Sequence, residues 1–226
     1  MPESSTADSA QADELTDQPN RRGFKRRLSL GLAMLGSVVV AHVWYSGSHV
    51  DNRVVTIGRL ENGPVTQIIS WDTDNTAVQL SQLSNLPADD LWRVVTDQGR
   101  FDEFMPYVRT TTVNDGPNGT LIEKQLLDLP YASYELELGI SLSKKDNVRT
   151  ARWEQRKGAL AFNQGAWIVE SHANRSVLRY QVAAHLSGVP QWASNYAMTR
   201  RLGRLLDAVE KRVRDLRQRV PDYFKL

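Results

Sequence analysis

Nine residues from Tyr134 to Leu142, YELELGISL, alternate with a period of two: Tyr134, Leu136, Leu138, Ile140 and Leu142 fall on one side, and Glu135, Glu137 and Ser141 on the other. Successive side chains of a strand point to opposite faces, so this strand has one dry face and one wet face. A parallel sheet covered on both sides reads as continuous apolar runs. The alternation therefore calls for an antiparallel sheet covered on one side only. Further strand runs surround it: Ala77 to Ser84, Val108 to Asn114, Thr120 to Leu129, Val148 to Arg156, Ala166 to His172 and Ser176 to Leu186. Between them DGPNG (Asp115 to Gly119), KKDN (Lys144 to Asn147) and HANR (His172 to Arg175) are turn-type clusters that connect antiparallel neighbours.

The cover for the dry face is written at the C-terminus. Beyond Pro190, the residues Trp192, Tyr196, Leu202, Leu205, Leu206, Val209, Val213, Leu216 and Val220 recur at steps of three and four, which predicts one long amphipathic helix. Its other face carries Arg200, Arg201, Arg204, Lys211, Arg212, Arg214, Arg217 and Arg219 against Asp207, Glu210 and Asp215. That is the composition of a solvated face laced with ion pairs, or of one that meets anionic lipid headgroups. A shorter helix starts at Pro87 in PADDLWRVVTD, with Asp89 and Asp90 in the first turn where the helix dipole favours negative charge. A second short helical piece, GRFDEFMPY, ends at Pro106.

The first residues carry an address. Residues 1–27 have almost no large apolar side chains and are read as a disordered segment that ends in the bases Arg21, Arg22, Lys25, Arg26 and Arg27. Residues 28–45, LSLGLAMLGSVVVAHVWY, contain no Lys, Arg, Asp or Glu. As a helix rising about 1.5 Å per residue this run spans roughly 27 Å, close to the about 30 Å of a bilayer core. A basic segment before an apolar one is the pattern of a membrane anchor or a signal sequence, and RRGF also resembles a twin-arginine export motif. The expectation is an uncleaved anchor in a bacterial inner membrane, ending in the interfacial aromatics Trp44 and Tyr45. The positive-inside rule then puts Met1 in the cytoplasm and the domain on the periplasmic or outer side. The alternative is an exported soluble protein, cleaved near Ala41. Residues 46–75 read as a linker with strand content, in which RVVTI and VTQIISW flank ENGP in the manner of a hairpin.

Composition narrows the chemistry. There is no Cys, so disulfides and thiolate metal sites are excluded, and the four His are too scattered for a metal site. A net charge of +2 does not argue for nucleic acid, and no Gly-rich phosphate loop is present. No cofactor is expected.

The order of strand, two short helices, antiparallel strands and one long terminal helix resembles the START-like (SRPBCC) superfamily. Local wording agrees. LPADDLWRVVTDQGRFDEFMPYV, from Leu86 to Val108, is similar to the family's helix-turn-helix segment, with Asp97, Phe101, Phe104, Met105 and Pro106 at the matching places. GALAFNQGAWIVE, from Gly158 to Glu170, resembles its Gly, spacer, Gly-x-Trp strand, and the Tyr180 strand follows. The resemblance covers about 77–219 and implies an α+β helix-grip fold over 76–220: a curved antiparallel sheet wrapped around the long C-terminal helix, leaving a cavity between them. Phe104, Leu136, Leu138, Trp153, Trp167, Tyr180, Trp192 and Tyr196 are the candidates to line it.

For catalysis, spacing assembles no nucleophile–His–carboxylate triad. Glu123, which shares a strand face with Leu121 and Leu127, is the one carboxylate that can be nominated as an inward acid or base. The reading is a membrane-tethered protein that binds or transfers a hydrophobic ligand such as a lipid, quinone or isoprenoid. A cyclase, aromatase or dehydratase using the same cavity is the alternative. An envelope protein that binds a partner through the basic helix is the third.

Overall fold

The structure, a computed structural model, describes residues 39–129 and 132–225; the basic segment 1–27 and the part of the expected anchor at 28–38 lie outside them. Residues 39–48 are helical, and among the described residues no helix is long and apolar enough to cross a membrane. From His42 onward the chain is one compact unit.

Eight antiparallel strands form its sheet: β1 (Val65–Ser70), β2 (Thr76–Ser84), β3 (Val108–Asp115), β4 (Leu121–Leu129), β5 (Ala132–Lys145), β6 (Val148–Gly158), β7 (Phe162–His172) and β8 (Arg175–His185). Their order across the sheet is β1-β2-β8-β7-β6-β5-β4-β3. β3 to β8 thus form a meander, and β2 closes against β8, the last strand. The β5–β6 and β7–β8 connections are two-residue hairpin loops, since Lys145 pairs with Val148 and His172 with Arg175. Asp146 and Ala173 take positive φ of 54° and 45° there, the twist that tight hairpins need.

Three helices follow the sheet's logic. α1 (Ala88–Thr96) is capped by Pro87 and packs on β7 and β8, and a 3-10 segment (Gln98–Glu103) packs beside β3. The C-terminal cover is α2 (Gln191–Arg201) and α3 (Gly203–Arg219), lying over β2 and β8. The expected single helix is interrupted at Leu202. The residue keeps right-handed helical angles, but Leu205 N–H bonds to Leu202 O in place of the i−4 carbonyl, a 3-10 step just after Gly203 enters the ladder. The inner stripe of α3 is fully buried at Leu206, Val209 and Val213.

The dry face of β5 is buried at Leu136, Leu138 and Ile140, but Leu142 is 47% exposed. β5 runs on to Lys145 and is exposed from Ser141 onward, so the alternation outlasts the burial.

Residues 46–75 differ most from expectation. RVVTI forms no strand: residues 53–56 are irregular and Ile57–Leu60 is a single helical turn. VTQIIS is β1, paired with β2 along its whole length, so the strand content belongs to the sheet itself. The residues before it wrap the outer face. Asp51 N–H donates to Ile68 O at 2.7 Å, Asn52 and Ser70 exchange two hydrogen bonds, and Val55 and Leu60 bury against Val177 with Leu83 and Val65 alongside. Three glutamines aligned across the strands relay this hold: Gln181 donates to Gln79, Gln79 to Gln67, and Gln67 to the carbonyls of Asp51 and Arg53. An apolar-periodicity reading cannot see such a clasp, because polar side chains fasten it.

Candidate functional site

The concave face is built row by row from strand register. One row runs Leu80, Tyr180, Trp167, Ala151; the next runs Val78, Val182, Gly165, Trp153, Ile140. Gly165 has no side chain, and the Trp153 indole fills the space beside it. Trp153 stacks on Tyr180 with ring centroids 5.3 Å apart, and Trp167 packs on the same ring at 4.5 Å. The Trp153 N–H donates to Asn163 Oδ1 at 3.3 Å, so its one polar atom is paired. These aromatics form a floor under α2 and α3.

Around the floor lies a band of half-buried apolar side chains packed on the core: Phe104, Leu127, Tyr134, Leu160, Tyr180 and Ala184 from the sheet side, and Met198 and Leu202 from the helix. α2 and α3 cover the β2 and β8 side of this face.

Glu123 points into this face. It is 2% exposed, opposite Val113 on β3 and Leu138 on β5. Burial pushes its carboxyl up to about 7, the hydroxyl of Thr111 offsetting part of that. Thr111 Oγ lies 3.1 Å from both Glu123 Oε1 and the Gln98 carbonyl. A neutral Glu123 satisfies all three groups, donating to Thr111 while Thr111 donates to Gln98 O. The second Glu123 oxygen has no hydrogen-bond partner among the described residues. The Tyr180 phenol is pushed well above its ordinary value, first by burial and then by the charge of Glu123.

Of the eight nominated residues, the structure gathers Leu136, Leu138, Trp153, Trp167 and Tyr180 on the concave face, with Phe104 at its edge. Trp192 and Tyr196 are not on the inward stripe of α2. At 100° per residue that stripe runs through Asn195, Met198 and Leu202, which leaves Trp192 and Tyr196 about 60° and 100° to one side. Asn195 is the buried member, donating to Gly47 O at 3.1 Å and Thr76 Oγ at 2.7 Å. These bonds set the rotation of α2, and Tyr196 instead stacks under Arg200 at its flank.

Sequence reasoning missed Gln98, which is buried with Oε1 unpaired, and Asn163, which orients Trp153. The parity of Asn163 with Gly165 and Trp167 was the available signal. Elsewhere a cleft of about 600 Å³ opens between the start of α1 and the β5–β6 and β7–β8 hairpins, lined by Asp89, Lys144, Arg149, Asn174 and Ser176 among others; none of the eight nominated residues borders it. Among the described residues no cluster of acidic and histidine side chains is arranged to hold a metal.

A profile of the family described as polyketide cyclase / dehydrase and lipid transport matches residues 84–210. No curated protein sequence matches the chain. Among solved structures, human StAR-related lipid transfer protein 5 superposes with a TM-score of 0.59 at 12% identity, over 83% of this chain and 98% of that one. The STAR-related lipid transfer protein from Xanthomonas axonopodis gives 0.57 at 15% identity, over 72% and 97%. Zhui aromatase/cyclase from Streptomyces sp. R1128 gives 0.51 at 16%, over 64% and 96%. These likenesses are of fold.

Proposed function

Because the chain belongs to the polyketide cyclase / dehydrase and lipid transport family, we propose that its domain binds an apolar small molecule between the concave face of the sheet and α2–α3, and carries or presents it without chemistry. The observation that supports this most is the cluster of Trp153, Trp167 and Tyr180 on the concave face, with half-buried apolar side chains packed on the same core. A lipid, a quinone or an isoprenoid has the matching surface. The apolar run 28–45 behind five bases supports a tether in a bacterial inner membrane, with the domain on its outer side. Mass spectrometry of small molecules extracted from gently purified protein tests the binding. A lipophilic species recovered in stoichiometric amount is the expected result; recovery of none, with no uptake of added apolar probes, overturns it.

One observation favours a second reading. Glu123 has its carboxyl near neutrality inside an apolar face, the condition a general acid or base of a cyclase or dehydratase requires. Among the described residues no histidine is paired with it: His172 bonds to Glu170, and His185 stacks on Phe162 at the strand end. Turnover of a polyketide-like substrate that Glu123→Gln abolishes would put the enzyme ahead.

A further inference from the structure

We propose that the surface at the α2–α3 joint docks on an anionic lipid leaflet through Arg200, Arg201 and Arg204. The contact is made by the folded domain itself and requires neither a cargo nor a tether.

The structure divides the bases of the two C-terminal helices into two sets. Along α3, Arg212 is paired with Glu103, Arg214 with Glu210 and Arg217 with Asp90, while Lys211 and Arg219 alternate with Asp207 and Asp215 at steps of four. That stretch balances its own charge. Arg200, Arg201 and Arg204 do not share in the balance: among the described residues none has a carboxylate within ion-pair distance, and the sequence holds no Asp or Glu between Glu170 and Asp207. Arg200 and Arg204 are exposed and four residues apart, a spacing at which like charges repel. The helix dipole favours Arg200 and Arg201 in the last turn of α2, but Arg204 stands in the first turn of α3, where the dipole opposes a cation and no acidic residue offsets it. The helix gains nothing from that charge, so its complement is external.

The neighbours of the trio select the partner. Tyr196, one turn before Arg200, accepts a hydrogen bond from its Nη2 at 3.3 Å, and the guanidinium lies 5.4 Å from the ring centroid. Trp192 lies one turn earlier still, against Gly47, where a Cβ would come within 2.0 Å of the Trp192 carbonyl oxygen. Within a turn of that contact Trp44 and Tyr45 are exposed, as is Val189 just before α2. Exposed aromatic and apolar side chains next to arginines match the headgroup region, which takes rings at its own level and guanidinium groups on its phosphates. A fluid leaflet meets both without needing matched shape.

Flotation of the full chain with phosphatidylcholine vesicles, with or without about one-third phosphatidylglycerol, tests the surface. The readout is the ratio of the two partition coefficients, in which apolar insertion common to both vesicles cancels. Each base near an anionic surface contributes about fivefold, so Arg200→Gln, Arg201→Gln and Arg204→Gln together should lower the ratio by about a hundredfold. High salt should lower the ratio of the unaltered chain. Arg204→Gln alone should lower it about fivefold with no loss of thermal stability, since the dipole conflict is relieved. Lys144→Gln, Lys145→Gln and Lys157→Gln together remove the same charge from β5 and β6 and should leave the ratio near its original value. An unchanged ratio in the triple arginine variant, or an equal loss in the lysine variant, overturns the proposal. So does a triple arginine variant that keeps its vesicle preference but loses a co-purifying acidic protein, which would give the face to a protein partner.

Discussion

The Trp153 indole stands where a side chain at Gly165 would be: a Cβ there would lie 2.1 Å from Trp153 Cζ2 and 2.4 Å from the Gln181 carbonyl oxygen. The glycine and the tryptophan are one packing unit shared by β6 and β7. Gly165→Ala should therefore destabilise the domain by about 3 kcal/mol, at the upper end for overpacking because backbone as well as ring must shift. Urea denaturation followed by tryptophan fluorescence checks this, and the native spectrum should change as the indole is displaced. An unchanged midpoint would mean that the indole does not occupy the glycine's space.

Glu123 makes stability depend on pH in a defined direction. Its folded value, about 7, lies above the ordinary 4.5, so between those values the native state holds a proton that the unfolded chain has released. Stability attributable to this group is fully present below 4.5 and falls by up to about 1.4 kcal/mol per pH unit as pH rises through the window. Glu123→Gln should remove that slope and be the more stable form at pH 8 by about 2 to 3 kcal/mol. Parallel urea melts of both proteins from pH 5 to pH 8 would show the difference growing with pH; a constant difference refutes the assignment.

The bases on α3 are not equivalent. Asp90, buried at the start of α1, is held by Arg217, whereas the partner of Arg212 is the half-exposed Glu103. A uniform solvated face would make both arginines dispensable, but Arg217→Ala leaves a buried carboxylate alone and should cost about 2 kcal/mol. Arg212→Ala should cost less than about 1 kcal/mol. Thermal melts of the two variants under one buffer separate them, and equal losses would mean that the Asp90 pair carries no special weight.

Gln67 is 4% exposed and its amide spends both hydrogens on the carbonyls of Asp51 and Arg53. Gln67→Leu removes these bonds and leaves the Gln79 amide without its acceptor. Amide hydrogen exchange across 51–56 should accelerate at least about tenfold, with smaller change in β5 to β7, since local opening is cheaper than global. Uniform acceleration through the sheet would show that the clasp and sheet unfold together.

Much of the fold was legible because it is written in short-range periodicity. The alternation of β5, the turn clusters at Asp146 and Ala173, and the stripe through Leu206, Val209 and Val213 each follow from local spacing and recur in the structure. Glu123 was legible by parity with Leu121 and Leu127. The failures involve polar side chains that tertiary bonds draw inward. Asn195 reads as a surface residue, so Trp192 and Tyr196 were given the inner face that Gly47 and Thr76 secure for Asn195. β1 reads as isolated because its outer partner is the irregular stretch at Asp51 and Asn52, which has no strand pattern of its own.

The clasp also decides how far the domain can roam. A flexible linker over 46–75 would have given it a root-mean-square leash of about 30 Å. With Gly47 held by Asn195 and Asp51 by β1, residues 47–75 move with the sheet and supply no such leash.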